Sequence, residues 1–443
     1  MDFLRSHGIS VPQVYSYSAT SDNATGTEYI FMELIQGTNL GDIWFDLGEK
    51  ARITVVTKLV ELESRLFALE FPASGGLYYT KDLQSGSDNV KVPITSATRN
   101  SDFCVGPDTR LSLWHGKRAA IRTDRGPYTD TAAALIAGAK KEIAYLTQVG
   151  QPLHPFQRLR RKIYNYQKQS PLDHLDSLDK YLRIAPYLVP KEEALIRPTL
   201  RHPDLQPNNV FVSDELEITG LIDWQHCAIL PLFLQCGIPS SLQNYGDSIS
   251  ESLTTPELPP EFDELSESEQ FEQVLLLRRR QLHYFYVAMT AKLNPMHYDA
   301  LASDFSILRR KLFDHASYPW EGDNVTLKAD LVHLMKNWSK IAAPASASGD
   351  AKAPCPIQFS EDEVLECERL NAAQIEADEQ LQTCRDIIGI GPEGWVPLEQ
   401  YEETKQRERK LKADALDAAE SEEERARLSE HWIFDDFDER EYS

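Results

Sequence analysis

Cysteine is scarce and unpatterned in this chain of 443 residues. Its six cysteines, Cys104, Cys227, Cys236, Cys355, Cys367 and Cys384, include no Cys-x-x-Cys pair. Zinc sites and disulfide frameworks need closer or more regular spacing, so neither organises the chain, and a reduced compartment with mostly buried thiols is expected. Apolar runs of bilayer-spanning length are also missing, which excludes a transmembrane helix. Residues 1–7 resemble neither a secretory signal nor an Arg-rich, acid-poor mitochondrial presequence. Basic charge is short as well: 46 Lys and Arg stand against 69 Asp and Glu, for a formal net charge of -23. Such a field repels phosphate backbones and anionic lipid surfaces and argues against general nucleic-acid or membrane binding. The one local basic run, residues 158–162, reads as a solvated helix face.

What is present is ordinary globular material, 42% hydrophobic and 26% charged, in a chain long enough for two or three units. Residues 200–226 are the most informative stretch. His202, Asp204, Asn209 and Asp223 lie on loops around two short apolar runs, 210–212 and 218–222, which read as the arms of a hairpin. That pairing sets two carboxylates and a carboxamide at neighbouring strand ends. Asp204 and Asn209 have the Asp-x-x-x-x-Asn spacing of a kinase-type catalytic loop, and Asp223 follows one hairpin later, where phosphoryl transfer places a metal-binding carboxylate. Hard oxygen ligands suit Mg²⁺. A single Asp or Asn beside a turn is commonly a turn former bonded to its own backbone; four such residues at matched spacing, bracketed by strands, point to chemistry instead.

The run His202-x-Asp204-Leu205-x-x-x-Asn209, an apolar strand and then Ile222-Asp223-Trp224 resemble the signature of the aminoglycoside-phosphotransferase and choline-kinase group of small-molecule kinases. The surrounding Thr219-Gly220-Leu221, Gln225-His226 and Leu230-Pro231-Leu232-Phe233-Leu234-Gln235 are similar to the fungal phosphotransferase-like proteins named for altered inheritance of mitochondria. Phe103-Cys104-Val105-Gly106-Pro107, Asp124-Arg125-Gly126-Pro127 and Pro319-Trp320-Glu321-Gly322-Asp323 extend the likeness. The resemblance implies an α+β, protein-kinase-like fold of the aminoglycoside-phosphotransferase type, with part of an N-terminal lobe and a mainly helical C-terminal lobe. It implies transfer of the ATP γ-phosphoryl group to a hydroxyl. In the catalytic loop Asp204 would be the base or orienter and His202 a structural member. Asn209 and Asp223 would be the Mg²⁺ ligands, and Met32, Glu33, Leu34 and Ile35 the hinge that meets the adenine of ATP. The partner implied is a small-molecule hydroxyl substrate or an unknown protein, and the location the mitochondrion, with the cytoplasm as the alternative.

Residues 11–17 and 27–34 read as two strands joined by the polar loop 21–26, matching the last strands of a kinase N-terminal lobe. Ahead of the hinge there is no glycine-rich loop, and the first lysine is Lys50. Residues 1–45 therefore read as a remnant of the nucleotide lobe, and impaired catalysis is expected of the chain as written. This keeps a second reading in view, a catalytically silent, kinase-like binding or scaffold protein.

Helical spacing of apolar residues predicts helices over 48–70, 132–148, 156–169, 172–184, 271–293 and 330–338, with Tyr284, Phe285 and Tyr286 packing inward. Strands are predicted at 76–79 and 90–94, and a solvent-exposed acidic loop at 251–269. Trp114, Arg118, Arg122 and Arg125 are candidates for a substrate or partner surface, although an aromatic near arginines is more often structural. Residues 46–341 make up the expected C-terminal lobe with an insertion, 342–354 a linker rich in Ala, Ser and Pro, and 355–443 an acidic helical extension. Its segments 360–388 and 397–427 read as solvated helices.

Overall fold

The computed structural model describes residues 1–83, 90–94, 102–341, 354–390, 396, 398–436 and 442. Residues 342–353 of the expected linker lie outside them. Strands β1 (Val14–Ser18), β2 (Tyr29–Met32), β3 (Thr38–Asn39), β4 (Gly76–Tyr79) and β5 (Val92–Pro93) come from the first part of the chain. They are followed by β6 (Phe103–Gly106), β7 (Pro198–Leu200), β8 (Val210–Val212), β9 (Ile218–Leu221) and β10 (Ile229–Pro231). Among the longer helices are α1 (Glu49–Phe67), α2 (Thr131–Val149), α3 (Pro171–Leu188), α4 (Glu267–Leu293), α5 (Thr326–Lys336), α6 (Glu361–Ile388), α7 (Tyr401–Asp417) and α8 (Glu422–Glu430), with a further helix over Ser306–Ser317. The chain is thus a mixture of helix and sheet in which helix predominates. It divides into two compact units, each described by itself.

The first unit comprises Met1–Leu111, Arg125–Ala134 and Val189–Arg310. Its helix α1 buries Val55, Val56, Leu59, Val60, Leu62, Leu66 and Phe67 at helical spacing and packs on α4. Each such side chain contributes about 1.5–3 kcal/mol when removed from water. Helix α4 starts earlier than the apolar period suggests, at Glu267, because Ser266 and Glu269 form a capping box that satisfies two otherwise orphaned backbone donors. Of the three aromatics expected to point inward from it, only Tyr286 is fully buried; Tyr284 and Phe285 are half-exposed. Three consecutive helical positions span about 200° of the helix, so they cannot share one buried stripe.

Hairpin β8–β9 forms as expected and gains a third strand, β3, which pairs Thr38 with Val212 and Asn39 with Phe211. A second three-stranded sheet has the order β4-β6-β5. Its central strand, β6, was not expected as a strand. It is four residues long, with Cys104, Val105 and Gly106 buried, and a short strand covered on both faces shows no polar–apolar alternation.

The second unit comprises Ser112–Asp124, Leu135–Leu188 and Lys311–Ser443. The helix expected over 156–169 is reduced to Arg160–Ile163. Asn165 and Tyr166 adopt left-handed backbone (φ 49° and 58°), Tyr166 N–H returns to Arg161 O at 2.8 Å, and the chain folds back so that Leu153 bridges Gln169.

The basic run 158–162 is not a solvated face either. Arg158 donates to Trp432 O at 2.6 Å, Arg160 to the Asp378 carboxylate at 2.6 and 3.0 Å, and buried Arg161 to His431 at 3.1 Å and Tyr442 at 3.1 Å. Helix α6, through Asp378, and the residues that follow α8 thus pack on this run. Helix α6 also buries Cys367 against Val325 and Val332.

Arg118 is likewise no surface residue. Wholly buried, it forks onto the Glu142 carboxylate at 2.8 and 2.7 Å and stacks on Tyr145 at 3.8 Å. Lys141, equally buried, adds a contact to Glu142 at 2.8 Å.

Candidate active site

The site is built on β8, β9 and the loops at their ends. After β7 the chain passes Arg201, whose guanidinium is held almost out of water. It donates to Glu63 of α1 at 2.7 Å, to Tyr286 of α4 at 3.1 Å and to the main-chain oxygens of Gln235 and Gly237, each at 2.8 Å. Burial opposes its charge, but Glu63 and the hydroxyl of Tyr286 outweigh that and raise its pKa. This anchor fixes the start of the loop that carries His202 and Asp204, and breaking such a buried pair costs about 3–5 kcal/mol. Arg201, Glu63 and Tyr286 were missed from sequence; the available signal was a glutamate amid the apolar face of α1.

His202 is buried and placed by two bonds. Its Nδ1 accepts the Asp204 backbone N–H at 3.2 Å, which requires the proton on Nε2, and Nε2 donates to Ile222 O at 2.8 Å. Its ring meets Trp224 edge-on at 4.7 Å. Burial lowers its pKa, against the opposing pull of the Ile222 carbonyl, Asp204 and Asp223, so the ring is a neutral clamp between loop and hairpin.

Asp204 itself is exposed. Its Oδ2 accepts from Gln206 Nε2 at 2.5 Å and from Asn209 Nδ2 at 3.1 Å, and Asn209 Nδ2 also reaches Asp204 O at 2.9 Å. Asn209, buried, presents its amide nitrogen to Asp204 and keeps its oxygen for another partner. Its main-chain oxygen receives Ile222 N–H at 3.0 Å, which carries the hairpin up to Asp223. Asp223 is exposed and left-handed, at φ 61°, a conformation that Asp tolerates better than most residues and that clusters at functional turns. His202, Asp204, Asn209 and Asp223 are therefore brought together by one hydrogen-bonded turn pair.

Of residues 32–35, expected to form the hinge, Glu33 is tied to the N-terminal segment and Ile35 to the hairpin. Glu33 N–H donates to Gln13 O at 2.8 Å, and the Glu33 carboxylate accepts from Gln13 N–H and Arg5, both at 3.0 Å. Ile35 packs on Gly220, where an added Cβ would come within 2.7 Å of its side chain. At Gly37 (φ 120°) an added Cβ would sit 2.4 Å from Val212 O, so only glycine lets the segment cross β8 this closely. Asn39 then donates to Asn208 O at 2.8 Å. Among the described residues, the backbone N–H groups of Leu34 and Ile35 meet no protein acceptor. Met32 and Leu34 are exposed, at 42% and 83%.

Residues 1–233 match the family model described as the phosphotransferase enzyme family. The chain belongs to that family. Its fold is accordingly of the protein-kinase-like type that this domain implies, consistent with the mixed helix and sheet above. A subtelomeric hrmA-associated cluster protein of Aspergillus fumigatus is 30% identical over 458 aligned residues, covering 95% of this chain and 85% of the relative. The proteins named altered inheritance of mitochondria protein 9, mitochondrial, are 22% identical in Saccharomyces cerevisiae and 23% in Kluyveromyces lactis, each match covering 89% of this chain and 65% of the relative. This chain therefore spans about two thirds of the length of those yeast proteins. No solved structure matches the chain significantly. Among the described residues no helix is long and apolar enough to cross a membrane.

Proposed function

We propose that this chain transfers the γ-phosphoryl group of ATP to the hydroxyl of a small molecule. The observation that carries the reading is the hydrogen-bonded frame joining Asp204, Asn209 and the turn at Asp223. Asp204, open to solvent, orients the hydroxyl and accepts its proton. His202 positions Asp204 through its backbone and, being neutral and internally bonded, is not the base. The hinge lends its open backbone groups at Leu34 and Ile35 to the adenine.

A divalent cation fits the donor set. Asn209 Oδ1 and the Asp223 carboxylate are hard oxygens, and among the described residues no cluster of three or more His, Cys, Asp or Glu offers a closed metal cage. Mg²⁺ takes one or two protein oxygens and completes its shell with water and substrate phosphates. Bound there, it would neutralise charge on the transferring phosphates.

The test of the base is Asp204→Asn in an assay of phosphoryl transfer from labelled ATP to a panel of hydroxyl compounds. Loss of transfer supports the assignment, and unchanged turnover overturns it.

A second reading, a catalytically silent binding protein, draws on the apolar surface that β1, β2 and the hinge leave exposed: Tyr15 is 64% exposed, Phe31 59% and Leu34 83%. Metal-dependent ATP binding separates the two. The mitochondrial names of the yeast relatives support a mitochondrial location; fractionation that finds the protein only in the cytosol would contradict it.

A further inference from the structure

The second unit has a half-open pocket of about 290 Å³ between the segment around Phe156, helix α3 and residues 315–327. Its volume is just under the roughly 300 Å³ at which small-molecule sites begin. Its walls are aromatic, from Phe156, Tyr318 and Trp320, and most of its polar groups are already satisfied. The Asp323 carboxylate accepts from Val325 N–H at 2.8 Å, Gln374 at 3.1 Å and Arg160 at 3.2 Å. Trp320 Nε1 donates to Asn324 Oδ1 at 2.9 Å, and His315 is bonded to Asp330 at 2.6 Å. Arg160, the one guanidinium in the wall, is matched by Asp323 and Asp378.

Two groups break this pattern. His174, only 5% exposed, has no hydrogen-bond partner at either ring nitrogen, and its ring stacks near Trp320 with centroids 6.4 Å apart. Burial depresses its pKa to about 4, so at neutral pH it offers one donor and one acceptor. Half-buried Glu321 shares the cavity; its carboxylate accepts no hydrogen bond among the described residues, and burial, with Glu142 adding to it, raises its pKa against the pull of the Arg118 charge. A buried imidazole with neither nitrogen bonded is costly. Together with a carboxylate that accepts no hydrogen bond in an aromatic cavity, it marks a place where a ligand supplies the missing bonds.

We propose that this cavity binds a flat, nitrogen-bearing heteroaromatic amine, neutral or singly cationic. The ligand donates N–H groups to the Glu321 carboxylate, exchanges a hydrogen bond with His174 and sets its ring against Trp320 and Phe156. An anion is disfavoured, because the guanidinium is already neutralised by two carboxylates and Glu321 repels negative charge. A metal ion is disfavoured too, since the described residues hold no cluster of His, Cys, Asp and Glu able to ligate one. The site consists only of residues of the second unit and is additional to the phosphotransfer residues of the first.

The test uses the full chain with 2-aminobenzimidazole as probe, followed by calorimetry and ligand-observed NMR, and with benzoate as the anionic counterpart of similar shape. The expected result is saturable one-site binding of 2-aminobenzimidazole and none of benzoate. Glu321→Gln should weaken binding about tenfold, and His174→Phe, which replaces the imidazole donor and acceptor by an apolar ring of similar size, should weaken it by at least as much. Glu321 lies nearer the surface, so E321Q carries the test should H174F fail to fold. No saturable binding at millimolar probe, equal binding of benzoate, or undiminished binding by E321Q would overturn the proposal.

Discussion

At the turn after β9, Asp223 stands in solvent on left-handed backbone, and Asp204 faces solvent two short loops away. In the core of the second unit Glu142 is wholly buried and receives the forked guanidinium of Arg118 and the ammonium of Lys141. Burial alone would raise the Glu142 pKa, but those two cations outweigh it and hold the carboxyl at about 2. The two regions use the same residue types for opposite ends. A carboxylate with unspent lone pairs at a turn is available to a substrate or a cation, whereas one saturated by buried cations is a structural joint. Availability for chemistry is therefore read from unspent hydrogen-bonding capacity as well as from residue type.

The largest effect that tests this contrast is on rate. Asp204→Asn is expected to lower phosphoryl transfer about 10²–10⁴-fold while the melting temperature stays unchanged, because Asp204 is exposed. A parallel fall in stability would make Asp204 a joint like Glu142 and break the comparison.

Next in size, Glu142→Gln removes the partner of two buried cations and is expected to cost about 3–5 kcal/mol, measured by urea unfolding followed by far-UV circular dichroism. A loss under 1 kcal/mol would mean that water reaches the cluster.

The pH dependence sharpens the same point. His174 has an ordinary value of 6.5 and a folded value of about 4, so on acidification the unfolded chain takes up this proton first. Its contribution is fully present above pH 6.5 and is lost as pH falls toward 4, by up to about 3 kcal/mol. His202, also lowered by burial, acts in the same direction. His174→Phe should flatten the stability curve across this window in unfolding measured from pH 7 to 4.5; an unaltered slope would show that the ring is not held neutral.

The smallest effect is expected at an exposed pair. Arg183, 59% exposed beside Asp179, should change stability by no more than about 0.5 kcal/mol on replacement by alanine, and a cost above 1 kcal/mol would contradict the distinction between exposed and buried charge.

Local signals made much of this legible in the sequence. The β8–β9 hairpin follows from two apolar runs around a polar turn, and α1, α2, α3, α4 and α6 follow from helical spacing to within a few residues at their ends. The juxtaposition of Asp204, Asn209 and Asp223 is a consequence of that hairpin. What escaped depends on contacts distant along the chain. Arg201 meets Glu63 and Tyr286 across separations of 138 and 85 residues, which no periodicity encodes. The break at Asn165 and Tyr166 lies in a tertiary turn that looks helical by composition. The basic run 158–162 looked solvated because its partners, Asp378, His431, Trp432 and Tyr442, come from the other end of the sequence.

The most direct test of the central claim is a calorimetric titration of ATP into the full chain with and without Mg²⁺, repeated with Asp223→Asn. Binding that requires Mg²⁺ and weakens at least tenfold in the variant, while its melting temperature holds, is the expected result. Absence of ATP binding, or binding indifferent to both Mg²⁺ and Asp223, would contradict it and leave the chain as a phosphotransferase-family member that acts by binding alone.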